Sequence, residues 1–359
     1  MIPIGLNDFI STKGISGSTR GSQMIQRALS SSFHINVISK GLQTNNRFTR
    51  ALEMILWDLF GCVRGYKTRG DKLIIHTSNT GASRKRLKSI LVLHDTMVLD
   101  FPGMFDYLYG LYVWKLCDYS VRHASIIVAP SSHSQKRILH YWPNADVRVI
   151  SWPIEEIMIS TGFIPYSSRE ERILIVASLD KHKRLNLGID LVRDLRNAGF
   201  DGLKLTIVGR SGNAEDQVRD YIRINDPDGK WISLEEDVPF EQLQNLFKSS
   251  KLLLVPSIDE GFCLPAIESI SSGTPVVHSD RGSLPEVAPF SHNEESIAET
   301  DFDLLLSRVT KLLSTDENWR ETLELQQSNM EKFRFERFQQ LWVDTTMELL
   351  SDQRIDRVK

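Results

Sequence analysis

Two carboxylates stand eight positions apart in the run Pro256-Ser257-Ile258-Asp259-Glu260-Gly261-Phe262-Cys263-Leu264-Pro265-Ala266-Ile267-Glu268. The stretch before it, Lys251-Leu252-Leu253-Leu254-Val255, is a short apolar run ending at Pro256, which predicts a buried parallel strand. The stretch after it has apolar Leu264, Ile267 and Ile270 with Pro265 near the start, which predicts a helix that opens with proline in its first turn. The acidic turn Asp259-Glu260-Gly261 then falls at the carboxyl end of a strand, where open α/β sheets hold ligands. Glu260 lies in the loop and Glu268 about one turn into the helix, so both can face one crevice. The helix amino terminus adds N–H donors and partial positive charge, which suit an anion such as a phosphate. Acidic groups beside such a helix end fit a ligand that carries hydroxyls and phosphates together, as a sugar nucleotide does.

The elements that must position these groups alternate. Strands are predicted over residues 2–5, 35–39, 73–77, 90–94, 125–129 and 147–151, with helices over 22–29, 48–60 and 107–123. The last of these is so rich in aromatics that it predicts burial or a surface groove. A second series follows: strands over 172–177, 203–208, 231–234 and 275–278, and helices over 186–198, 215–224 and 240–247. Such alternation argues for doubly wound, mainly parallel sheets. Residues 155–171 interrupt the rhythm with Gly162, Pro165 and three serines, and are the best linker candidate. The segment from 329 to 350 is helical in pattern and carries Phe333, Phe335, Phe338 and Trp342. A helix this apolar at a chain end needs a partner, and crossing back to brace the first domain would supply one.

A length of 359 residues suits two α/β domains. An apolar content of 41% and a charged content of 25% are ordinary for a folded soluble protein. No uncharged apolar run approaches the length of a spanning helix, and the first residues lack a basic region followed by an apolar core, so neither a membrane span nor a secretory signal is expected. Cys62, Cys117 and Cys263 are scattered, which fits a reducing compartment and offers no metal-binding spacing. Residues 1–165 hold 19 Lys and Arg against 11 Asp and Glu, while the rest hold 24 against 35. This basic first half suits an anionic membrane surface or a phosphorylated lipid acceptor, or is ordinary surface variation. Its densest cluster, Arg84-Lys85-Arg86-Leu87-Lys88, lacks the aromatic interleaving of a nucleic-acid reader, so no nucleic acid is expected.

With Pro256-Ser257, Glu260-Gly261-Phe262, Leu264-Pro265, Glu268, Gly273, Pro275-Val276-Val277, Ser279, Gly282 and Pro285-Glu286 in order, the chain resembles glycosyltransferase family 4, the retaining, nucleotide-sugar-dependent enzymes of GT-B architecture. Weaker matches are the glycine-containing connection from Gly14 to Gly21, His94-Asp95, Ser131 with Ser134, and Lys183. The resemblance implies an α/β protein of two Rossmann-like domains whose parallel sheets face a central cleft. Residues 1–165 would form the acceptor-side domain, 166–328 the nucleotide-sugar domain, and 329–359 a helical segment packing back on the first. Glu268 would then bind the ribose hydroxyls of the donor, a sound match of carboxylate to diol. Glu260 would contact hydroxyls of the donor sugar, with backbone amides around Gly261, Phe262, Cys263 and Leu264 helping to hold the sugar or diphosphate. Lys183 would meet the diphosphate, where charge builds as the glycosidic bond breaks. Many members carry an arginine five residues before that lysine. This chain has Ser178 there, which leaves Arg184 or Arg210 to supply the second positive group. His94 would face the donor sugar, with Asp95 and Arg20 on the acceptor side and Gly17 near the donor in the first connection. On their own, a lysine in a charged loop and an isolated His-Asp pair are more often a solvent-facing and a structural feature.

The expected activity is transfer of a hexose-like unit from a nucleoside-diphosphate sugar to a saccharide or lipid-linked acceptor with retention, in surface polysaccharide or glycoconjugate synthesis. The alternatives are a sugar-nucleotide 2-epimerase and a nonenzymatic sugar-nucleotide-binding assembly subunit. No cofactor is expected beyond the donor substrate. No metal is expected either: Asp301-Phe302-Asp303 has a metal-like spacing but reads better as a turn and helix start. A cytoplasmic protein in peripheral contact with the membrane face is the corresponding location.

Overall fold

The computed structural model describes residues 1–7, 17–38, 70–81, 88–155, 164–290 and 300–352. The helix expected over 48–60, Gly14, Cys62, residues 84–87 of the basic cluster and residues 156–163 of the expected linker lie outside them. The chain divides into two compact units, Met1–Pro153 with Phe333–Lys359, and Ile154–Lys332. The sequence places these divisions at 165 and 329.

The first unit runs β1 (Pro3–Asn7), α1 (Gly17–Leu29), β2 (His34–Ile38), β3 (Ile74–His76), β4 (Ser89–Val92), α2 (Met97–Asp100), α3 (Tyr107–His123), β5 (Ile126–Ala129), α4 (Ser132–Tyr141) and β6 (Val147–Val149). The strands are wholly parallel in the order β2-β1-β3-β4-β5-β6. Every residue of β3, β4 and β5 is buried, as strands covered by helices on both faces must be. Two expectations are corrected. The first connection is helix from Gly17 onward, so Gly17 and Gly21 are not loop glycines. A Cβ at Gly21 would stand 2.8 Å from the Trp152 ring, so this glycine serves packing. Of the burial or surface groove expected for the aromatic helix, it is burial that fails: α3 buries only Cys117, Ser120 and Val121, and leaves Tyr107, Leu108, Tyr109, Trp114 and Tyr119 exposed. Helix α4 was not expected from the sequence. Its face toward the sheet rests on Ile138, too few apolar residues to show a period, and it starts because Ser131 Oγ accepts from the Ser134 N–H at 3.0 Å.

The second unit runs β7 (Glu170–Val176), α5 (Leu185–Asn197), β8 (Lys204–Val208), α6 (Glu215–Asn225), β9 (Ile232–Glu235), α7 (Phe240–Ser249), β10 (Ser250–Val255), α8 (Leu264–Ser271), β11 (Val276–His278), α9 (Leu284–Val287), α10 (Asp301–Ser314) and α11 (Asp316–Ser328). Its strand order is β11-β10-β7-β8-β9, again all parallel. The order reverses between β7 and β10, and such a switch point opens a crevice beyond the carboxyl ends of the two strands. All six residues of β10 are buried. Trp319 of α11 is fully buried and donates from Nε1 to the Lys251 carbonyl at 2.5 Å, which ties the last helices to β10.

Beyond a 3-10 turn at Met330–Phe333 comes α12 (Phe335–Ser351), which belongs to the first unit. It buries Phe338, Trp342, Thr345, Thr346 and Leu349. The Phe338 ring lies 5.9 Å from Trp152, and Arg27 stacks over Phe335 at 4.2 Å. Lys88 Nζ donates to the carbonyls of Leu350 and Asp352 at 3.1 and 2.9 Å, capping the helix end with positive charge.

Candidate active site

Two loops leave the switch point of the second unit. The loop after β7 carries Ser178 and turns through a 3-10 helix at Lys181–Lys183 into Arg184, which takes the left-handed conformation at φ 48°. The loop after β10 carries Ser257 to Phe262 and ends at Cys263, also left-handed at φ 74°, which stands at the start of α8 without a side-chain cap. Leu264 and Pro265 form its opening turn, where Pro265 has no N–H to satisfy and Ala266 N–H donates to the Cys263 carbonyl at 3.1 Å. Glu268, the fifth residue of α8, is buried.

A mostly buried ion pair joins the loops. Lys183 Nζ lies 2.6 Å from Glu260 Oε1, with the two side chains 17% and 10% exposed. Ser257 Oγ donates to the same oxygen at 2.7 Å. Burial works against the Lys183 charge, but the Glu260 carboxylate outweighs it and holds its pKa above the ordinary lysine value, so the ammonium is permanent at neutral pH. Cys263 goes the other way. Burial first, and the Glu260 charge next, push its thiol up, so it stays protonated and neutral.

The scaffold around this pair is tightly made. Ile258 N–H donates to the His182 carbonyl at 2.8 Å, so one loop straps the other. Arg184 donates from Nε to the Pro256 carbonyl (2.6 Å), from Nη2 to the Ser257 carbonyl (3.2 Å) and from Nη1 to Asp301 (2.7 Å). Ser279 Oγ donates to the Ser257 carbonyl at 2.6 Å. Ser283 N–H donates to the Glu260 carbonyl at 2.9 Å, an approach that only Gly282 permits: it sits at φ +65°, and a Cβ there would lie 2.4 Å from Glu260 N. Behind them, the buried His278 takes an amide bond at Nδ1 from Asp280 (3.1 Å) and pairs through Nε2 with the Ala288 carbonyl (2.6 Å). Arg308 grips Asp280 with both terminal nitrogens at 2.7 and 2.8 Å.

Of the residues singled out in the sequence, Ser178, Lys183, Arg184, Glu260, Gly261, Phe262, Cys263, Leu264 and Glu268 lie on these two loops and the helix that follows. Their commitments differ. Ser178 donates to Asp180 at 2.5 Å, and Asp180 in turn accepts from Asn213 N–H at 2.9 Å. Arg184 is bound to the Pro256 and Ser257 carbonyls and to Asp301, so its guanidinium builds the loop. Arg210, on the loop after β8, is exposed, and among the described residues its guanidinium has no hydrogen bond; only its carbonyl does, to Leu179 N–H at 3.0 Å. Asp301 opens α10 and accepts from Arg184 and Arg281. Among the described residues no cluster of metal-binding side chains occurs.

His94 and Asp95 lie in the first unit, just past β4. The His94 ring bonds through Nε2 to the Thr77 carbonyl at 2.9 Å and stacks on Trp152 at 5.6 Å. A carbonyl only accepts, so Nε2 carries the proton and Nδ1 is the acceptor. Burial lowers the His94 pKa against the opposing pull of the Thr77 bond and the Asp95 charge, so the ring is neutral. Asp95 accepts from Met97 N–H at 3.0 Å, and Arg20 is half-buried in α1. Ser257, Ser279 and Gly282 appear in the sequence signature without a role, and Asp301 only as a poor metal candidate. Their structural duties depend on contacts between distant loops.

Comparison with known proteins bears on this unit first. Residues 164–328 match the family model described as glycosyl transferases group 1. Over 262 residues the chain is 24% identical to O-antigen chain mannosyltransferase B of Escherichia coli, covering 69% of this chain and 67% of that protein. Across the curated relatives the aligned stretches span from 20% to 67% of their lengths. Among solved structures, sucrose-phosphate synthase from Thermosynechococcus elongatus superposes with a TM-score of 0.73 at 15% identity, over 98% of this chain and 100% of that one. Anabaena Alr3699/HepE in complex with UDP and glucose superposes at 0.72 and 15% identity, over 97% and 100%. These likenesses show the fold: two parallel-sheet α/β domains of the GT-B class.

Proposed function

We propose that the protein is a retaining glycosyltransferase that moves a hexose from a nucleoside-diphosphate sugar to a saccharide or lipid-linked acceptor. The observation that carries this reading is the Lys183–Glu260 pair, 2.6 Å apart at the mouth of a switch-point crevice, with an uncapped helix start and buried Glu268 beside it. Glu268 accepts from the ribose hydroxyls, and Glu260 from hydroxyls of the sugar. Lys183, already held positive, receives charge that develops on the departing diphosphate, where a preorganised cation lowers the barrier most. In a front-face substitution the leaving phosphate oxygen takes the acceptor proton as the new bond forms on the same face. Exposed Arg210 remains the candidate for a second phosphate contact. His94 faces the donor sugar, and Asp95 and Arg20 serve the acceptor side. The relatives named as O-antigen chain mannosyltransferases support a hexose donor and a polysaccharide setting, and the UDP-bound structural neighbour supports a nucleotide donor. Peripheral membrane contact belongs to the same proposal. Its support is the positive balance of residues 1–165 and the exposed aromatics of α3; no described helix is long and apolar enough to cross a membrane.

The test is kinetic. GDP-mannose, UDP-glucose and UDP-N-acetylglucosamine are screened by thermal shift, since a ligand of the native state raises its stability. The donor that binds is then used for turnover with an acceptor panel and for anomer analysis of the product. Glu268→Ala is expected to weaken donor binding by ~10- to 100-fold, the worth of one or two charged hydrogen bonds. Lys183→Ala is expected to lower kcat by ~100-fold or more, as loss of a leaving-group cation does. An inverted product rejects retention, unchanged kinetics reject both roles, and conversion of donor without acceptor points to an epimerase.

A further inference from the structure

We propose that Ser257 is a positioning residue that fixes which oxygen of Glu260 the substrate meets, a role that rests on the donor-site reading above. Two donors converge on a single carboxylate oxygen. Lys183 Nζ and Ser257 Oγ both take Oε1, at 2.6 and 2.7 Å, and neither takes Oε2. The carboxylate is therefore turned so that Oε2 is the oxygen left for a ligand.

The two donors are unlike in rigidity. Lys183 reaches Glu260 along a flexible four-carbon stem, and its ammonium is the group that a diphosphate would draw away. Ser257 is 1% exposed and its backbone is pinned on several sides. Its carbonyl accepts from Ser279 Oγ at 2.6 Å and from Arg184 at 3.2 Å. The preceding carbonyl of Pro256 accepts from Arg184 at 2.6 Å, and the following Ile258 N–H is strapped to the His182 carbonyl at 2.8 Å. When the lysine turns toward phosphate, the serine hydroxyl is the contact that keeps Glu260 aimed. The arrangement divides labour: a mobile cation follows the leaving group, and a fixed hydroxyl holds the sugar-binding carboxylate in a productive rotamer.

The experiment compares wild type, Ser257→Ala and Ser257→Thr. Each is titrated by calorimetry with the nucleotide sugar selected in the donor screen and with its nucleoside diphosphate, and each is assayed for turnover. Ser257→Ala is expected to bind the nucleoside diphosphate within ~3-fold of wild type while losing ~10-fold in kcat, the signature of a lost orienting bond. Ser257→Thr, which keeps the hydroxyl, is expected to recover most of that loss. A Ser257→Ala enzyme within twofold of wild-type kcat overturns the proposal, as does an equal loss of affinity for the nucleoside diphosphate and the nucleotide sugar. If wild type binds none of the nucleotide sugars, the donor-site reading fails, and a crystal structure of Ser257→Ala decides this inference separately. A Glu260 carboxylate that swings to a new rotamer supports it, and one that stays in place with Oε2 outward rejects it.

Discussion

At the scale of single residues, burial has set the charge of each group differently. Lys183 is held charged by its partner, whereas the buried imidazoles of His76 and His278 are held neutral. Burial lowers both to about 4, in the case of His278 against the pull of the Ala288 carbonyl and Asp280. His76 Nδ1 accepts from Asn7 Nδ2 at 3.0 Å, which a protonated ring could not do. The sign of the linkage follows. Between 6.5 and about 4 the unfolded chain binds these protons and the native protein does not. The stability they contribute is whole above the unfolded value and is lost as pH falls through the window, by up to ~1.4 kcal/mol per pH unit for each histidine. Urea midpoints of wild type, His76→Gln and His278→Gln between pH 7 and pH 4.5 check this. Both variants are expected to show a shallower acid loss than wild type, and parallel curves would contradict the assignment.

At the scale of elements, the site depends on turns that pass close to one another more than on the helices and strands themselves. Gly282 and Gly199 both have positive φ, at 65° and 110°, yet only Gly282 has backbone in the space a side chain would fill. Gly199→Ala is therefore expected to cost ~1–2 kcal/mol of backbone strain, and Gly282→Ala ~3–4 kcal/mol because the Glu260 loop must also move. Denaturant melts measure the stability difference. Turnover separates the two further, since the Gly282 variant alone should lose activity at temperatures where both are folded. Much of this element scale was legible in the sequence. The apolar run before Pro256 and the spacing of Leu264, Ile267 and Ile270 predicted β10 and α8, because burial on both faces and a 3.6-residue period leave direct traces. Helix α4 left none, since its polar residues outnumber the one it buries fully, Ile138.

At the scale of the whole molecule, the chain returns to its first unit at the end. Helix α12 places fully buried Trp342 and nearly buried Phe338 and Leu349 in that unit, and its rim carries the Arg148–Glu348 pair at 2.5 Å, with Glu348 64% exposed. These contacts are unequal in weight. Trp342→Ala is expected to destabilise the first unit by ~3–5 kcal/mol through the cavity it leaves. Glu348→Ala is expected to cost no more than ~1 kcal/mol, because an exposed pair is screened and pays side-chain entropy. Unfolding by urea checks both. Similar losses would mean that the helix is held by its charges and not by its apolar face.

The sequence by itself determined the class of fold and set the two acidic positions at the end of a strand, because hydrophobic period, proline placement and short-range spacing are local properties that a chain carries openly, whereas Lys183 was singled out only through the family resemblance. The sequence also contained Ser257, Ser279, Gly282 and Arg184, but assigned none of them the contacts they make. Arg184, offered with Arg210 as the second positive group, clamps the Pro256 and Ser257 carbonyls, 72 and 73 residues away. Asp301, read in the sequence as a turn and helix start, does open α10 and is also the counter-ion of that clamp, 117 residues from it. Only tertiary structure decides such matters, since a donor's partner is whichever acceptor the packed backbone brings within 3 Å, and sequence distance carries no record of it.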